Sequence, residues 1–178
     1  MSDLTTIRGR IEAQGFTCLT NDEVEDLNLW FRFAPAVCLL WVGAGVVLAS
    51  PIILFALLPF ALLGGILTGH PFDVVYNHGI RHLLRTPELP PYGRPRRFAC
   101  LMASLMISAT AAAFYSGYFA LGYTIGAVMI VMASVQVATG ICVPSFVHNL
   151  MFGHPLCEKD PDGTAQKKFE SISPLWPK

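Results

Sequence analysis

The sequence predicts an all-α membrane protein with four transmembrane helices arranged as two tandem hairpins, each followed by an interfacial amphipathic segment. Composition is the first observation behind it. Of 178 residues, 53% are apolar and 13% charged, against roughly 25% charged in an ordinary soluble domain. The second is the pair of runs 33–72 and 98–157, which contain no Asp, Glu, Lys or Arg. A crossing helix needs about 20 apolar residues, so each run holds two crossings and a tight turn. The third is charge placement. All twelve Lys and Arg fall in three blocks: Arg8, Arg10 and Arg32; Arg81, Arg85, Arg94, Arg96 and Arg97; Lys159, Lys167, Lys168 and Lys178. Neither hairpin turn carries any. An excess of Lys and Arg in short loops marks the cytoplasmic face, which predicts a multi-pass protein of the bacterial inner membrane with both termini cytoplasmic. The formal net charge of zero gives no reason to expect a nucleic-acid partner.

Residues 1–29 form a polar, acidic N-terminal segment. Thr20 followed three residues later by Glu23 is a capping-box pattern, and Val24, Leu27 and Phe31 continue one face at helical spacing. A short amphipathic helix along the cytoplasmic surface is therefore expected. The transmembrane domain covers 30–153, with helices at about 33–49, 51–69, 98–115 and 121–140. Trp30, Phe31, Arg32 and Phe33 form an interfacial belt. Ser50 and Pro51 make the first turn, since proline is tolerated at the first helical position. Pro59 is expected to kink the second helix. Residues 72–85 read as an interfacial helix, with Phe72, Val75, Tyr76, Ile80, Leu83 and Leu84 on one face and Asp73, Asn77, Arg81 and Arg85 on the other. Pro87, Pro90, Pro91 and Pro95 then prevent regular structure. Residues 154–178 are read as a cytoplasmic tail.

The two halves repeat. Arg32-Phe33-Ala34 opens the first hairpin and Arg97-Phe98-Ala99 the second, while Thr68-Gly69 and Thr139-Gly140 close them. A tandem repeat of even-numbered crossings implies pseudo-twofold symmetry, with a shared site at the cytoplasmic end where the repeats meet.

The stretch from Asp26 to Gly153 carries RFA twice, HPFDVVYNHGIRHL in its middle and TGICVPS near its end. It resembles a family of uncharacterised bacterial four-helix integral membrane proteins, a domain of unknown function. The resemblance implies thiol or sulfur chemistry, because members are often encoded near thioredoxin-like or sulfur-handling proteins and many carry a second Cys after the one matching Cys142. Here that motif reads Cys-Val-Pro-Ser, and Ser145 stands in place of the second thiol.

Candidate chemistry is sparse. The five cysteines are scattered with no CxxC, so neither a structural zinc site nor a dithiol redox pair is signalled. Cys38 and Cys100 read as small buried apolar residues, and Cys142, at a helix exit, is the one thiol with a redox alternative. Asp73 at membrane depth needs a partner, and a structural ion pair with Arg81 or Arg97 is expected. Gln136, deep in the fourth helix, predicts an interhelical hydrogen bond. His70, His78, His82 and His148 gather at the predicted interface as ligand or interface candidates. No metal site is predicted from them. No cofactor is predicted either; contact with a pigment, haem or quinone stays an open alternative.

The sequence therefore favours a non-enzymatic accessory or scaffold subunit of a larger bacterial membrane complex, energy-transducing ones included, with membrane lipids and the rest of that complex as partners. The alternative is a thiol- or sulfur-linked membrane redox component acting through Cys142 with a partner protein.

Overall fold

The computed structural model describes residues 4–16, 19–84, 86, 88–153, 158–159 and 165–166. Most of the expected tail, together with Cys18, Arg85, His154 and Cys157, lies outside them. The described chain is helical, apart from a two-residue antiparallel pairing of Glu158–Lys159 with Ala165–Gln166. In order it forms α1 (Leu4–Ala13), α2 (Asn21–Leu27), α3 (Phe33–Val47) after a 3₁₀ turn, α4 (Pro51–Ile66), α5 (Pro71–Val75), α6 (Arg81–Leu84), α7 (Arg94–Tyr115), α8 (Phe119–Thr139) and α9 (Val143–Phe152).

Two helical hairpins make the body. Between α3 and α4 the chain reverses through Ala49, at φ 45°, and Ser50, whose hydroxyl accepts from the Ile53 N–H at 3.5 Å. Trp41 Nε1 donates to Ile53 O at 2.9 Å across the same hairpin. The α7–α8 hairpin turns at Gly117, at φ 80°. α3 packs on α8, and α4 on α7. Their shared core contains Val42, Val46, Leu54, Leu57, Ile107, Ala111, Phe114 and Met129. The α3–α8 contact is close enough to need a glycine, since a Cβ on Gly126 would sit 2.6 Å from Val46 Cγ2. Small residues admit this approach between apolar helices.

Three helical stretches, Trp30–Val47, Arg94–Tyr115 and Phe119–Thr139, are long and apolar enough to cross a membrane, and the dimensions are compatible with a multi-pass membrane protein. The 22 residues of α7 reach about 33 Å at ~1.5 Å per residue, against a hydrocarbon core of about 30 Å. α7 begins at Arg94, a turn earlier than its apolar run, because Gly93 and Pro95 supply a helix start. α4 runs through Pro59 and ends at Ile66; after a short break the chain turns by 86° into Pro71–Leu83.

That second arm departs from the single amphipathic face expected over 72–85. α5 passes into a π turn at Tyr76–Ile80 before α6. An inserted residue in a helical turn rotates everything beyond it, so Phe72, Val75, Tyr76, Ile80 and Leu83 do not share one surface. Tyr76 is fully buried while Val75 and Leu83 are 58% and 85% exposed.

All chain segments outside the hairpins that the structure describes up to Gly153 collect at one end of the bundle. There Ile11, Phe16, Val24, Leu27, Phe31, Tyr76, Leu89 and Tyr92 form a second core. The predicted capping box is present: the Glu23 N–H donates to Thr20 Oγ1 at 3.3 Å, and the Thr20 N–H donates back to Glu23 Oε2 at 2.8 Å. The described residues of the proline-rich linker, 86 and 88–93, are not helical but are pinned. Asn77 exchanges two hydrogen bonds with the Leu89 backbone, the Tyr92 N–H donates to Thr68 O, and the Gly93 N–H to Gly15 O.

Candidate functional site

Among α3, α4, α7, α8 and the start of α9 the bundle holds a cavity of about 310 Å³. Its wall is almost wholly apolar, and its polar or sulfur-bearing lining includes Cys38 from α3, His70, Arg96 and Cys100 from α7, Gln136 from α8, and Cys142 at the start of α9.

Arg96 sits in the first turn of α7 and is only 4% exposed. Its Nη1 donates to Phe31 O at 3.3 Å, and its guanidinium lies 4.9 Å from the Phe16 ring centre and 5.2 Å from that of Tyr92. Aromatic faces stabilise a cation in surroundings where water is scarce. Burial pushes the Tyr92 phenol up, with Arg96 partly offsetting it, so Tyr92 stays protonated and donates to Gly64 O at 2.9 Å.

His70 is the N-cap of α5. Its Nδ1 accepts from the Phe72 N–H at 3.3 Å, which assigns the proton of the neutral ring to Nε2. Its own backbone N–H donates to Asp73 Oδ2 at 3.2 Å. Gly64 makes room for the ring. A Cβ there would lie 2.5 Å from His70 Cδ2 and 3.2 Å from Cys100 Sγ.

The structure does not bring Asp73 together with Arg81 or Arg97. Among the described residues the ion pairs are Arg8 with Glu12 and Arg81 with Glu88, the latter at 2.6 Å. Arg81 lies beyond the π turn and faces the linker. Arg97 instead donates to Gly65 O at 3.1 Å and Ile66 O at 2.6 Å. The cation whose field reaches the buried Asp73 is Arg96, one helical step of ~100° away from Arg97.

The histidines separate. His70 lines the cavity. His78 is exposed, with Nδ1 3.0 Å from Val74 O, and His82 is exposed on α6. His148, on α9, packs against Phe98 and Phe152 at 5.5 and 4.9 Å between ring centres, and burial holds its pKa below the ordinary histidine value. Among the described residues no three His, Cys, Asp or Glu gather to hold a metal ion.

Cys142 caps α9 and is 5% exposed, not at an open surface. Ser145, standing where the resemblance puts a second thiol, donates to Pro95 O at 3.2 Å. Gln136 finds its partner outside the two hairpins: its Nε2 donates to Gln14 Oε1 at 3.5 Å, and Gln14 Nε2 donates to Gly140 O at 2.8 Å.

Two features escaped sequence reasoning. Cys38, Cys100 and Cys142 are far apart in sequence yet line one cavity. Arg96 was hidden in a run of three arginines, although the repeat offered a signal: aligning Arg97 with Arg32 leaves Arg96 opposite Phe31, a cation where the first repeat has a ring. Chemically, the assembled site is an apolar chamber with hydrogen-bond donors at one end, suited to binding.

No curated protein and no solved structure matches the chain. A family model does match it over residues 29–152, from the 3₁₀ turn before α3 to the end of α9 and so across both hairpins and the cavity, and the chain belongs to that family, described as a Domain of unknown function (DUF4395).

Proposed function

We propose that the protein is a four-crossing integral protein of the bacterial inner membrane, with both termini cytoplasmic, and that it serves as a non-enzymatic accessory or scaffold subunit of a larger membrane complex. In this reading α3, α4, α7 and α8 cross, and the 86° bend sends the chain after α4 along the membrane surface. The carrying observation is one-sidedness. Every charged side chain among the described residues up to Gly153 belongs to the end where α3 and α7 begin and α4 and α8 finish, while the opposite end has only the turns around Ala49 and Gly117. Such a protein offers a folded polar platform on one side and apolar helices elsewhere. Long apolar side chains on the outside, among them Leu40, Ile52, Leu105 and Val131, suit lipid or neighbouring helices. The test is extraction from native membrane in mild detergent, followed by size separation, an absorption spectrum and identification of co-migrating chains. Migration within a larger assembly supports the reading. Migration as an isolated chain overturns it.

The second reading, a thiol-linked redox component, is favoured by the convergence of Cys38, Cys100 and Cys142 on one cavity. Burial in apolar surroundings opposes thiolate formation, which is why it ranks second. A Cys142→Ser variant that assembles normally but loses function supports it; full function sinks it.

A further inference from the structure

We propose that the cavity binds a hydrocarbon chain ending in a carboxylate, head-first at Arg96 with the tail along the apolar wall. The proposal rests on the non-catalytic membrane reading and gives its cavity an occupant. About 310 Å³ falls at the lower end of small-molecule sites, which run from ~300 to 1,000 Å³. Met102, Met106, Met129 and Met132 contribute to the wall, and unbranched thioether side chains adapt to a flexible chain. Met102, Val143 and Val147 are also exposed to the outside, so the chamber has a rim on the apolar surface from which an acyl chain enters.

The head follows from the polar end, which is rich in donors. Arg96 brings guanidinium N–H groups and no acceptor. His70, with Nδ1 already accepting from Phe72, turns a protonated Nε2 to its remaining partner. A head that accepts hydrogen bonds is matched there; one that only donates is not. Charge selects among acceptors. Arg96 is the cation of the lining, and no carboxylate stands among the described lining residues. Asp73 acts on Arg96 from behind the wall, but its Oδ2 is engaged by the His70 backbone. A carboxylate matches the guanidinium fork with two parallel hydrogen bonds, which a neutral ester or ether cannot do as strongly. A metal ion is disfavoured by the same geometry, since the His70 nitrogen left over carries a proton.

The experiment uses the full-length protein in a non-ionic maltoside detergent, with cis-parinaric acid as a fluorescent chain and its methyl ester as the uncharged counterpart. The expected result is saturable one-to-one binding of the acid, with the ester at least about tenfold weaker. Arg96→Gln should bring the acid down to the ester, Arg96→Lys should keep the preference, and Ala103→Phe, filling the chamber, should remove binding of both. Acid and ester binding equally to the wild type, or no saturable acid binding, overturns the proposal. That comparison needs no variant, so it stands even if Arg96→Gln does not fold. The subunit reading is judged separately by co-migration: an assembled protein that ignores the acid loses only this inference, and an isolated chain that binds it loses only the subunit role.

Discussion

Arg32 and Arg97 perform the same task on opposite hairpins. Arg32, just before α3, donates from Nη1 to Val137 O and Ala138 O at 3.0 and 2.8 Å, at the end of α8. Arg97, in the first turn of α7, donates to Gly65 O and Ile66 O at the end of α4. Each hairpin thus opens with an arginine that caps the closing helix of the other. The last carbonyls of a helix lack intrahelical partners and carry the negative end of its dipole, so a cation there is doubly favoured. The repeated Arg-Phe-Ala motif has this exchange as its physical content.

Removing either arginine should therefore destabilise the hairpin pair. One of each arginine's two hydrogen bonds is exposed, so Arg32→Ala or Arg97→Ala should cost about 1.5–3 kcal/mol, the worth of one sheltered hydrogen bond to a charged group. Lysine, which lacks the guanidinium fork, should recover only part. Thermal unfolding in detergent measures it. The two losses should add, as for separate sites; a double variant no worse than one single variant would show that only one cap matters.

Gly126→Ala should cost about 1–3 kcal/mol, typical of overpacking a tight core, because the new methyl meets Val46 on α3. Gly69→Ala is the control, having nothing within 4 Å of its Cβ position. Equal unfolding temperatures for the two variants would remove the close α3–α8 contact from the account of stability.

The pH dependence of His148 has a definite sign. Burial lowers its folded pKa below the ordinary histidine value of about 6.5, so the unfolded chain takes up a proton first as pH falls. Its contribution to stability is complete above about pH 6.5 and declines below that, down to the folded pKa. As pH falls from 7 to 5, the wild type should lose more stability than His148→Gln. Parallel curves would contradict it.

At the N-terminal segment, Thr20→Ala should loosen α2 by about 0.5–2 kcal/mol, the usual cost of a lost N-cap. The Thr20 backbone N–H, then its hydroxyl, hold the Glu23 carboxyl below its ordinary range. That support is present above the ordinary carboxylate pKa and is lost as pH falls through the lowered value. Amide exchange of residues 21–27 reads both effects; protection unchanged by the substitution would deny the box any role.

What was legible in the sequence was local or periodic. Ser50-Pro51 marks a helix start whatever surrounds it, Thr20 and Glu23 form their box within one turn, and two charge-free runs of this length leave hairpins as the economical packing. What was not legible depends on rotation and on distance. The π turn at Tyr76–Ile80 shifts the helical phase without any change in residue type, so the apolar face drawn over 72–85 was divided in space. Asp73 was matched with Arg81 and Arg97 because nothing along the chain distinguishes Arg96 from its neighbour; a single step around α7 turns one to the cavity and the other to the α4 carbonyls. The three cysteines, on α3, on α7 and at the start of α9, are brought to one cavity by the packing of the whole bundle.

The polar cap also dictates an order of events during synthesis. Arg10 reaches Thr139 O, 129 residues later in the chain, and Asn149 reaches back 136 residues to Ala13 O. Arg10 and Ala13 thus have partners that are synthesised well over a hundred residues later, and contacts of such separation form slowly. Residues 4–16 meet nearer partners first, among them the Gly93 N–H that donates to Gly15 O, but the bonds to Thr139 and Asn149 close only when α8 and α9 arrive, so a chain stopped before residue 139 lacks that latch.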